Sequence, residues 1–547
     1  MRFTTLVAPS LALVAVPLVL LAGACVGDDP ATVDRAADDG GSDSAATGDG
    51  NPATPTLSVT TATKSVSVLP STSAKVEVEV TRGAGFAGAV KISLTGLPGG
   101  TSAEPITIAA NETNGTVTVT ASGAPVQGVA AIGISAQSAD GALGAKAALE
   151  LVVRGVAGSL DKSFAGTGIV ADASLLIEAI ALQKDGKIVL GGSAPKETVF
   201  ADNFGAVRLD PTGKLDTTFG SGGRVKTTFG FASPGFSRYV TGVVVDDATG
   251  NIFLGGSAVV DGDLKLAALR LDKSGKVDPN FGGAGKGGAS GPRLARGVAM
   301  RAQGANLFVA GFDRQVIGGN AVVGRLNANG FDSTFAAQGM ATATGNYLSA
   351  HDALVQSDGK ILVCGASGQI GVDTIASVVR FNADGTLDTG YGANGQYDYN
   401  LVGTNEDAFA MALLPNDKVV VVGDKLVGGG SIGEISVAVV GSNGRLDSTF
   451  GVPLMHVGDG AAPASATAVV VQPDALIVVV GYAYKSSVFQ QFVWRFLKSG
   501  APDPAFNSGT PIFTPAASDS DLPNDAVIDA YQRVLVVTDN TITRYWL

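Results

Sequence analysis

The stretch RLDPTGKLDTTF, residues 208–219, decides the fold, because the same phrase returns along the chain. A second clear copy is RFNADGTLDTGY at residues 380–391. Each copy runs from an arginine through a polar, glycine-containing turn to Leu-Asp, and an aromatic residue stands three positions after the aspartate. A phrase that recurs at a nearly fixed period predicts an array of similar structural units rather than unrelated domains.

Seven copies of the phrase lie within residues 158–547, in units that begin near residues 160, 215, 277, 331, 387, 446 and 502. Their aspartates recur every 54–62 residues, as expected of repeats that differ by short insertions. The repeated aspartates and aromatic residues, which we call the anchors, are Asp161, Phe164, Asp216, Phe219, Asp278, Phe281, Asp332, Phe335, Asp388, Tyr391, Asp447, Phe450, Asp503 and Phe506.

The anchors have a structural explanation. Each aspartate is expected to cap its own turn by accepting a hydrogen bond from a nearby backbone N–H. The aromatic residue is expected to wedge between units, and the arginine to pair with a carboxylate or carbonyl at a unit's edge. The fifth copy departs from this pattern, because Val440 stands where the arginine would be.

A second phrase lies inside each unit and consists of two apolar runs joined by a turn, the second ending in glycine. Residues 180–192 and 354–365 are clear examples, and Asp-Gly at their centre is a strong hairpin signal. The run at residues 419–422 is apolar on both sides, which predicts a strand in the middle of a covered sheet. Four strands in each of seven units predict a seven-bladed β-propeller over residues 158–547.

Residues 57–155 show a different pattern, in which apolar and polar residues alternate, as at residues 75–80 and 116–120. Period two predicts half-buried strands, and residues 97–100 supply a turn between them. About seven strands in roughly 100 residues predict an immunoglobulin-like β-sandwich. The segment resembles bacterial surface Ig-like domains in architecture, since it has no Cys-Trp-Cys core. The whole chain is therefore expected to be all-β.

The first 24 residues have the order of an export signal: Arg2, an uncharged and mostly apolar run, then small residues before Cys25. They resemble a bacterial lipoprotein signal peptide, which implies lipidation of Cys25. Ordinary signal cleavage and an uncleaved anchor are the alternatives, and Pro9 and Pro17 disfavour a permanent membrane helix. Residues 25–56 carry aspartates among Gly, Ser, Ala and Thr, which predicts a disordered acidic linker. Val26 after the cysteine, by the same resemblance, favours the outer membrane or cell surface.

Composition limits the partners and cofactors. The formal net charge of −12 disfavours nucleic acid, so membrane contact is expected through the lipid alone. Cys364 lies in an apolar run and is expected to be a buried hydrophobe. Two histidines make a His-rich zinc site unexpected, and we expect no cofactor. Calcium held by Asn382, Asp384 and Asp388 is an alternative, although the spacing does not fit an EF-hand loop.

The repeats resemble the delta-60 repeat of large bacterial surface and secreted proteins over residues 158–547, which implies a propeller-like fold and brings no catalytic residue or ligand with it. We expect a monomeric, non-catalytic binding or scaffold protein of the cell envelope, with an unidentified protein or glycan ligand. One alternative is a structural adhesion module. Another is an envelope enzyme acting on glycans or lactones at the propeller mouth. GGSIG at residues 429–433 matches the nucleophile motif GxSxG, but it lies between expected strands, not before a helix.

Overall fold

The protein is described by a computed structural model, which covers residues 54–83, 85–194, 203–227, 239–260, 262–282, 288–304, 306–313, 319–337, 339–368, 374–399, 406–427, 430–451, 454–459, 462–516, 518 and 521–547. Within these ranges the chain is built from strands, with two short 3₁₀ turns at Pro415–Asp417 and Asn507–Gly509. The all-β prediction is confirmed. The described residues contain no helix that is both long and apolar enough to span a membrane. The signal peptide, Cys25 and nearly all of the linker lie outside them.

The chain divides between Val153 and Arg154 into two compact units. The described part of the N-terminal unit forms two sheets, with strand orders β1-β3-β7-β5 and β2-β9-β8-β4-β6. Its strands are β1 (Leu57–Thr61), β2 (Ser65–Val68), β3 (Ser73–Arg82), β4 (Val90–Thr95), β5 (Thr101–Ala103), β6 (Ile106–Ile108), β7 (Asn114–Ala121), β8 (Gly128–Ser138) and β9 (Gly144–Val153).

Alternation builds the core of the N-terminal unit. Val76, Val78 and Val80 of β3 are buried, and the residues between them are exposed. They pack in one cluster with Ile132 and Ile134 of β8, so the two sheets bury their apolar faces against each other.

The second unit, Arg154–Leu547, is the repeat domain. Its strands are β10 (Ile169–Ala171), β11 (Leu176–Leu182), β12 (Ile188–Ala194), β13 (Asn203–Leu209), β14 (Arg224–Thr227), β15 (Tyr239–Val245), β16 (Ile252–Val260), β17 (Asp263–Leu271), β18 (Gly288–Leu294), β19 (Arg296–Gln303), β20 (Asn306–Asp313), β21 (Asn320–Asn327), β22 (Gly330–Phe331), β23 (Met340–Val355), β24 (Ile361–Gly368), β25 (Thr374–Phe381), β26 (Gln396–Tyr399), β27 (Glu406–Leu413), β28 (Val419–Val427), β29 (Gly430–Val440), β30 (Leu454–His456), β31 (Ala464–Val471), β32 (Ile477–Lys485), β33 (Val488–Phe496), β34 (Ile512–Pro515), β35 (Pro523–Ile528), β36 (Arg533–Thr538) and β37 (Thr541–Trp546).

Four-stranded antiparallel sheets organise the described part of the repeat domain. The orders β11-β12-β13-β14, β15-β16-β17-β18, β27-β28-β29-β30 and β31-β32-β33-β34 follow the chain. The long strand β23 joins two further sets into one sheet, because its beginning pairs with β21 and its end with β24. The first strands β11, β15, β19, β23, β27, β31 and β35 contact one another in chain order, and β35 contacts β11.

The last sheet combines both ends of the repeat domain. Its order is β10-β37-β36-β35, so its fourth strand comes from the domain's beginning. Asp161, just before β10, is fully buried and pairs with Arg544 Nε at 2.8 Å and Arg533 Nη1 at 3.0 Å. The sequence left open which strands would close the array, and the pairing of Ile169 with Thr543 supplies the answer.

The anchor aspartates all lie in equivalent turns. One oxygen of each accepts the backbone N–H two residues later, at 2.9–3.2 Å. The other oxygen pairs with the repeat arginine at 2.7–2.9 Å in six copies. At Asp447, where Val440 stands in place of the arginine, Lys418 Nζ lies 2.6 Å from the carboxylate, and this hydrogen bond lowers the pKa of that carboxyl to about 2. A lysine from the neighbouring strand thus replaces the missing arginine.

The anchors also join consecutive sheets. The arginine lies over the anchor ring in six copies, at 4.3–5.2 Å from its centroid. The ring in turn contacts the turn glycine of the next repeat: a Cβ on Gly275 would lie 2.8 Å from Phe219. Gly275 also has φ +85°, so both backbone conformation and space require glycine there.

Candidate functional site

Because the strands are antiparallel, their turns and connections lie at two opposite ends of the repeat domain, and different residues lie at each end. The anchor turns lie at one end, which we call the turn end. At the opposite end, first strands begin and second strands finish, and we call it the connection end. Polar side chains other than the anchors lie close together at the connection end.

A bulge shapes every first strand near the connection end. Its pairing with the second strand skips one residue in all seven first strands of the described chain. The strand opposite carries glycine at six of these bulges and Thr538 at the last. The glycine has a physical reason: a Cβ on Gly423 would lie 1.8 Å from the carbonyl oxygen of Asp407. Gly192, Gly365 and Gly481 have the same constraint at 2.0–2.2 Å. The skipped residues are Glu178, Thr241, Val298, His351, Phe409, Thr467 and Asn524.

Three neighbouring first strands, β23, β27 and β31, bring a polar cluster together. We call His351, Asp407, Phe409, Asp424, Ser465 and Tyr482 the rim cluster. His351 Nε2 lies 3.0 Å from Asp407 Oδ2, and its ring lies 4.9 Å from that of Phe409. The other Asp407 oxygen is buried and has no hydrogen-bond partner. Two bulges thus place a histidine of one repeat against the next repeat.

Asp424 gives the rim cluster its acid–base character. It stands directly opposite Asp407 in the pairing of β27 and β28. Burial and the charge of Asp407 raise the pKa of Asp424 to about 7, against smaller opposing effects of Ser465 and His351. Because two neighbouring carboxylates disfavour simultaneous ionisation, Asp424 shares its site with a proton near neutral pH.

Ser465 and Tyr482 extend the cluster onto the next repeat. They are opposite each other in the pairing of β31 and β32. Burial, together with the nearby Asp424 carboxylate, raises the pKa of Tyr482 to about 12. Ser465 is 1% exposed and lies close enough to both side chains that its hydroxyl opposes the rise in both pKa values. Its oxygen nevertheless makes no hydrogen bond of normal geometry. A buried hydroxyl without a partner is costly unless a ligand or water satisfies it.

An aromatic platform continues from the rim cluster. It consists of Tyr482, Tyr484 and Phe489, which are all half-buried at the end of the β32–β33 hairpin. The Phe489 ring lies 5.2 Å from Tyr484 and 5.7 Å from Tyr482, edge to face in both pairs. The hairpin turns at Ser486 and Ser487, which both have positive φ, as a two-residue hairpin turn requires.

A second acid lies deeper and has a structural role. Asp352 follows the bulge of β23, is fully buried, and pairs with Arg301 of β19. It also accepts the backbone N–H of Met411 at 2.9 Å, so it links three consecutive repeats. Burial raises its pKa to about 6, against the opposing charge of Arg301. Asp525 makes the equivalent contact with the N–H of Ile180, again at 2.9 Å, and joins the last sheet to the first.

A cleft of about 860 Å³ lies away from the rim cluster, beside β26. Its polar groups are largely satisfied, since Asp398 accepts hydrogen bonds from Gln396 at 2.6 Å and Ser367 at 3.0 Å. The hydroxyl of Tyr397 accepts the N–H of Leu446 at 3.2 Å. One oxygen of the cleft, Gln396 Oε1, is buried without a partner. We place the candidate site at the rim cluster, where His351, Asp407 and Asp424 of two neighbouring repeats meet.

The residues singled out in the sequence fall mostly outside this site. The anchors occupy the turn end, and His456 is exposed on β30. Residues 430–433 of the GxSxG motif belong to strand β29, so no helix follows Ser431. The side chains considered for calcium make hydrogen bonds within their own turn, where Asp384 accepts a hydrogen bond from the backbone N–H of Thr386 at 2.9 Å. No group of three or more metal-ligating side chains occurs among the described residues.

Sequence reasoning missed the rim cluster because its members are not repeated. Asp407 and Ser465 occupy equivalent positions in consecutive repeats, as do Asp424 and Tyr482. In the sequence, the glycine that faces six of the seven bulges ends the second apolar run of its unit. Its position could have predicted where the bulge lies, but it could not have predicted which side chains meet there.

The fold is that of a β-propeller built from repeats. Residues 183–219 and 356–391 match the family described as "Domain of unknown function (DUF5122) beta-propeller", and both stretches run from a hairpin turn to an anchor aromatic. These matches support membership of a propeller-repeat family.

Similar solved structures include the α-L-arabinofuranosidase Arb93A of Fusarium graminearum with an iminosugar inhibitor, at 11% identity and TM-score 0.33, covering 58% of this chain and 93% of that one. The GH93 α-L-arabinofuranosidase of Fusarium graminearum with arabinobiose is 12% identical, with TM-score 0.30 and coverages of 58% and 93%. No curated protein matches the sequence.

Proposed function

We propose that the protein is a cell-envelope lipoprotein that binds a ligand, without catalysis, at the connection end of its propeller. The observation that carries the proposal is the contrast between the two ends. At the turn end the anchor carboxylates are satisfied and single atoms such as Tyr391 Oη lack a partner, whereas at the connection end Ser465 Oγ and Asp407 Oδ1 are buried without partners in one cluster. Unsatisfied buried polar atoms in one cluster are typical of a binding site.

The finer architecture is part of this proposal. Seven blades are supported by seven copies of the phrase and by the closed cycle of contacts among the seven first strands. An Ig-like sandwich at residues 57–155 is supported by two antiparallel-rich sheets that share one core. A lipid on Cys25 and the acidic linker would tether both domains to the outer membrane or cell surface, as a monomer.

The test is saturable binding of the purified full-length mature chain to isolated envelope material from the cells that make it. The variant Asp407→Asn with Ser465→Ala should weaken binding at least tenfold, because it changes both unsatisfied groups. Asp185→Asn is the matched control, since Asp185 is half-exposed at the turn end and should leave binding unchanged. Equal binding by both variants would refute the proposed site.

Acid–base catalysis is a second candidate because of one observation, the pair of Asp424 and Asp407 with His351 beside it. A carboxyl with a pKa of about 7 can donate a proton near neutral pH, as glycoside hydrolysis requires. Release of soluble product from envelope material, abolished by Asp424→Asn, would establish the enzyme in place of the binding protein.

A further inference from the structure

Building on the proposed function, we propose that the ligand is a neutral saccharide, with one sugar ring on the aromatic platform and its hydroxyl groups directed to the rim cluster. The two surfaces share Tyr482, so they form one continuous site across the ends of β27, β28, β31 and β32.

The platform has the composition that a sugar ring needs. Tyr484 and Phe489 are half-buried, so each keeps part of its surface accessible while the other part is fixed by packing. A rigid aromatic surface offers a large apolar contact at little cost in side-chain entropy. Neighbouring Phe513 is covered by Lys485, whose Nζ lies 4.3 Å from the ring centroid, which limits the platform on that side.

The rim cluster supplies groups that complement hydroxyls. Ser465 is 1% exposed and its Oγ lacks a hydrogen-bond partner, and Asp407 Oδ1 lacks one as well. A hydroxyl both donates and accepts hydrogen bonds, so it can satisfy a carboxylate oxygen and another hydroxyl at once. An apolar ligand would leave both atoms unsatisfied.

Charge selects against anionic saccharides. Asp407 and Asp424 stand side by side, and the chain carries a formal net charge of −12. Positive groups nearby are already engaged: His351 contacts Asp407, and Lys425 stands opposite Glu406 in the pairing of β27 and β28. A uronic acid directed to the rim cluster would therefore meet the carboxylates of Asp407 and Asp424, while the Lys485 ammonium lies beside the platform, over Phe513.

The experiment is an array of neutral, uronic-acid-containing and aminated oligosaccharides, probed with the full mature chain and followed by calorimetry on the best neutral binder. Tyr484→Ala and Ser465→Ala should each weaken that binding at least tenfold. Tyr397→Ala, which alters an aromatic residue of the separate cleft, is the matched control and should leave binding unchanged. Unchanged thermal unfolding of each variant shows that the fold is intact.

Preference for uronic-acid or aminated oligosaccharides would overturn the neutral-saccharide assignment, as would a loss of binding with Tyr397→Ala but not with Tyr484→Ala. Absence of all oligosaccharide binding would also overturn it. The proposed function would survive that last result if envelope material still bound wild type and failed to bind Asp407→Asn with Ser465→Ala, so the two failures can be told apart.

Discussion

Single residues set the geometry of the rim, because six of the seven described second strands carry glycine opposite the bulge, and Thr538 stands there in the seventh. Removing the Cβ lets the carbonyl of Asp407 approach Gly423 closely, and the bulge then turns Phe409 out of the regular alternation. At the turn end, too, one residue makes two contacts. One oxygen of Asp388 accepts the backbone N–H of Gly390 in its own turn, and the other pairs with Arg380.

Gly423→Ala should therefore destabilise the propeller by about 2 kcal/mol or more, because the new methyl group overlaps a backbone carbonyl that cannot move without breaking strand pairing. Urea denaturation, followed by tryptophan fluorescence, measures the effect. Gly390→Ala is the control: its Cβ would meet only Asp388 Oδ1, at 3.4 Å, and its cost should stay within about 0.5 kcal/mol. Equal midpoints for the two variants would refute the bulge explanation.

At the scale of elements, each sheet depends on its neighbours and the last sheet depends on both ends of the domain. The buried second strands, such as β28, have apolar residues on both sides because sheets cover them on both faces. Strand β10 pairs with β37, and Asp161 brings its carboxylate to two arginines of the final hairpin.

Asp161→Ala should lower the free energy of unfolding by about 3–5 kcal/mol, because the buried Arg544 guanidinium loses its carboxylate partner and Arg533 keeps only Asp529. Asp278→Ala removes the same turn cap but a partly exposed pair with a single arginine, and we expect about 1 kcal/mol. Comparing the urea midpoints of the two variants separates the contribution of the last sheet's arginine pairs from that of the turn hydrogen bond, which both variants lose. If Asp278→Ala lowered the free energy of unfolding as much as Asp161→Ala does, the pairing of the two chain ends in the last sheet would not explain the loss of stability.

At the scale of the whole molecule, the proposal is a tethered propeller whose connection end is free to bind. The formal net charge of −12 disfavours adsorption to anionic head groups, so the anchor in this proposal is the lipid on Cys25.

Cys25→Ser should abolish metabolic labelling with radioactive fatty acid and move the protein from the detergent phase to the aqueous phase on phase partitioning. Cys364→Ala is the control, because Cys364 is fully buried in β24 and should leave labelling unchanged. Labelling that persists in Cys25→Ser would remove the lipid anchor from the proposal.

The sequence by itself determined the all-β class, the repeats and the hairpins, because strand alternation, turn residues and period are local properties of the chain. It also identified the anchors, because a side chain that has the same structural role in every unit recurs at the same position of every repeat. Only the tertiary structure decided which strand completes the last sheet, and that His351, Asp407, Asp424, Ser465 and Tyr482 meet at one end. These residues belong to different repeats and occur once each, so their proximity depends on how neighbouring sheets pack, and no local pattern records it.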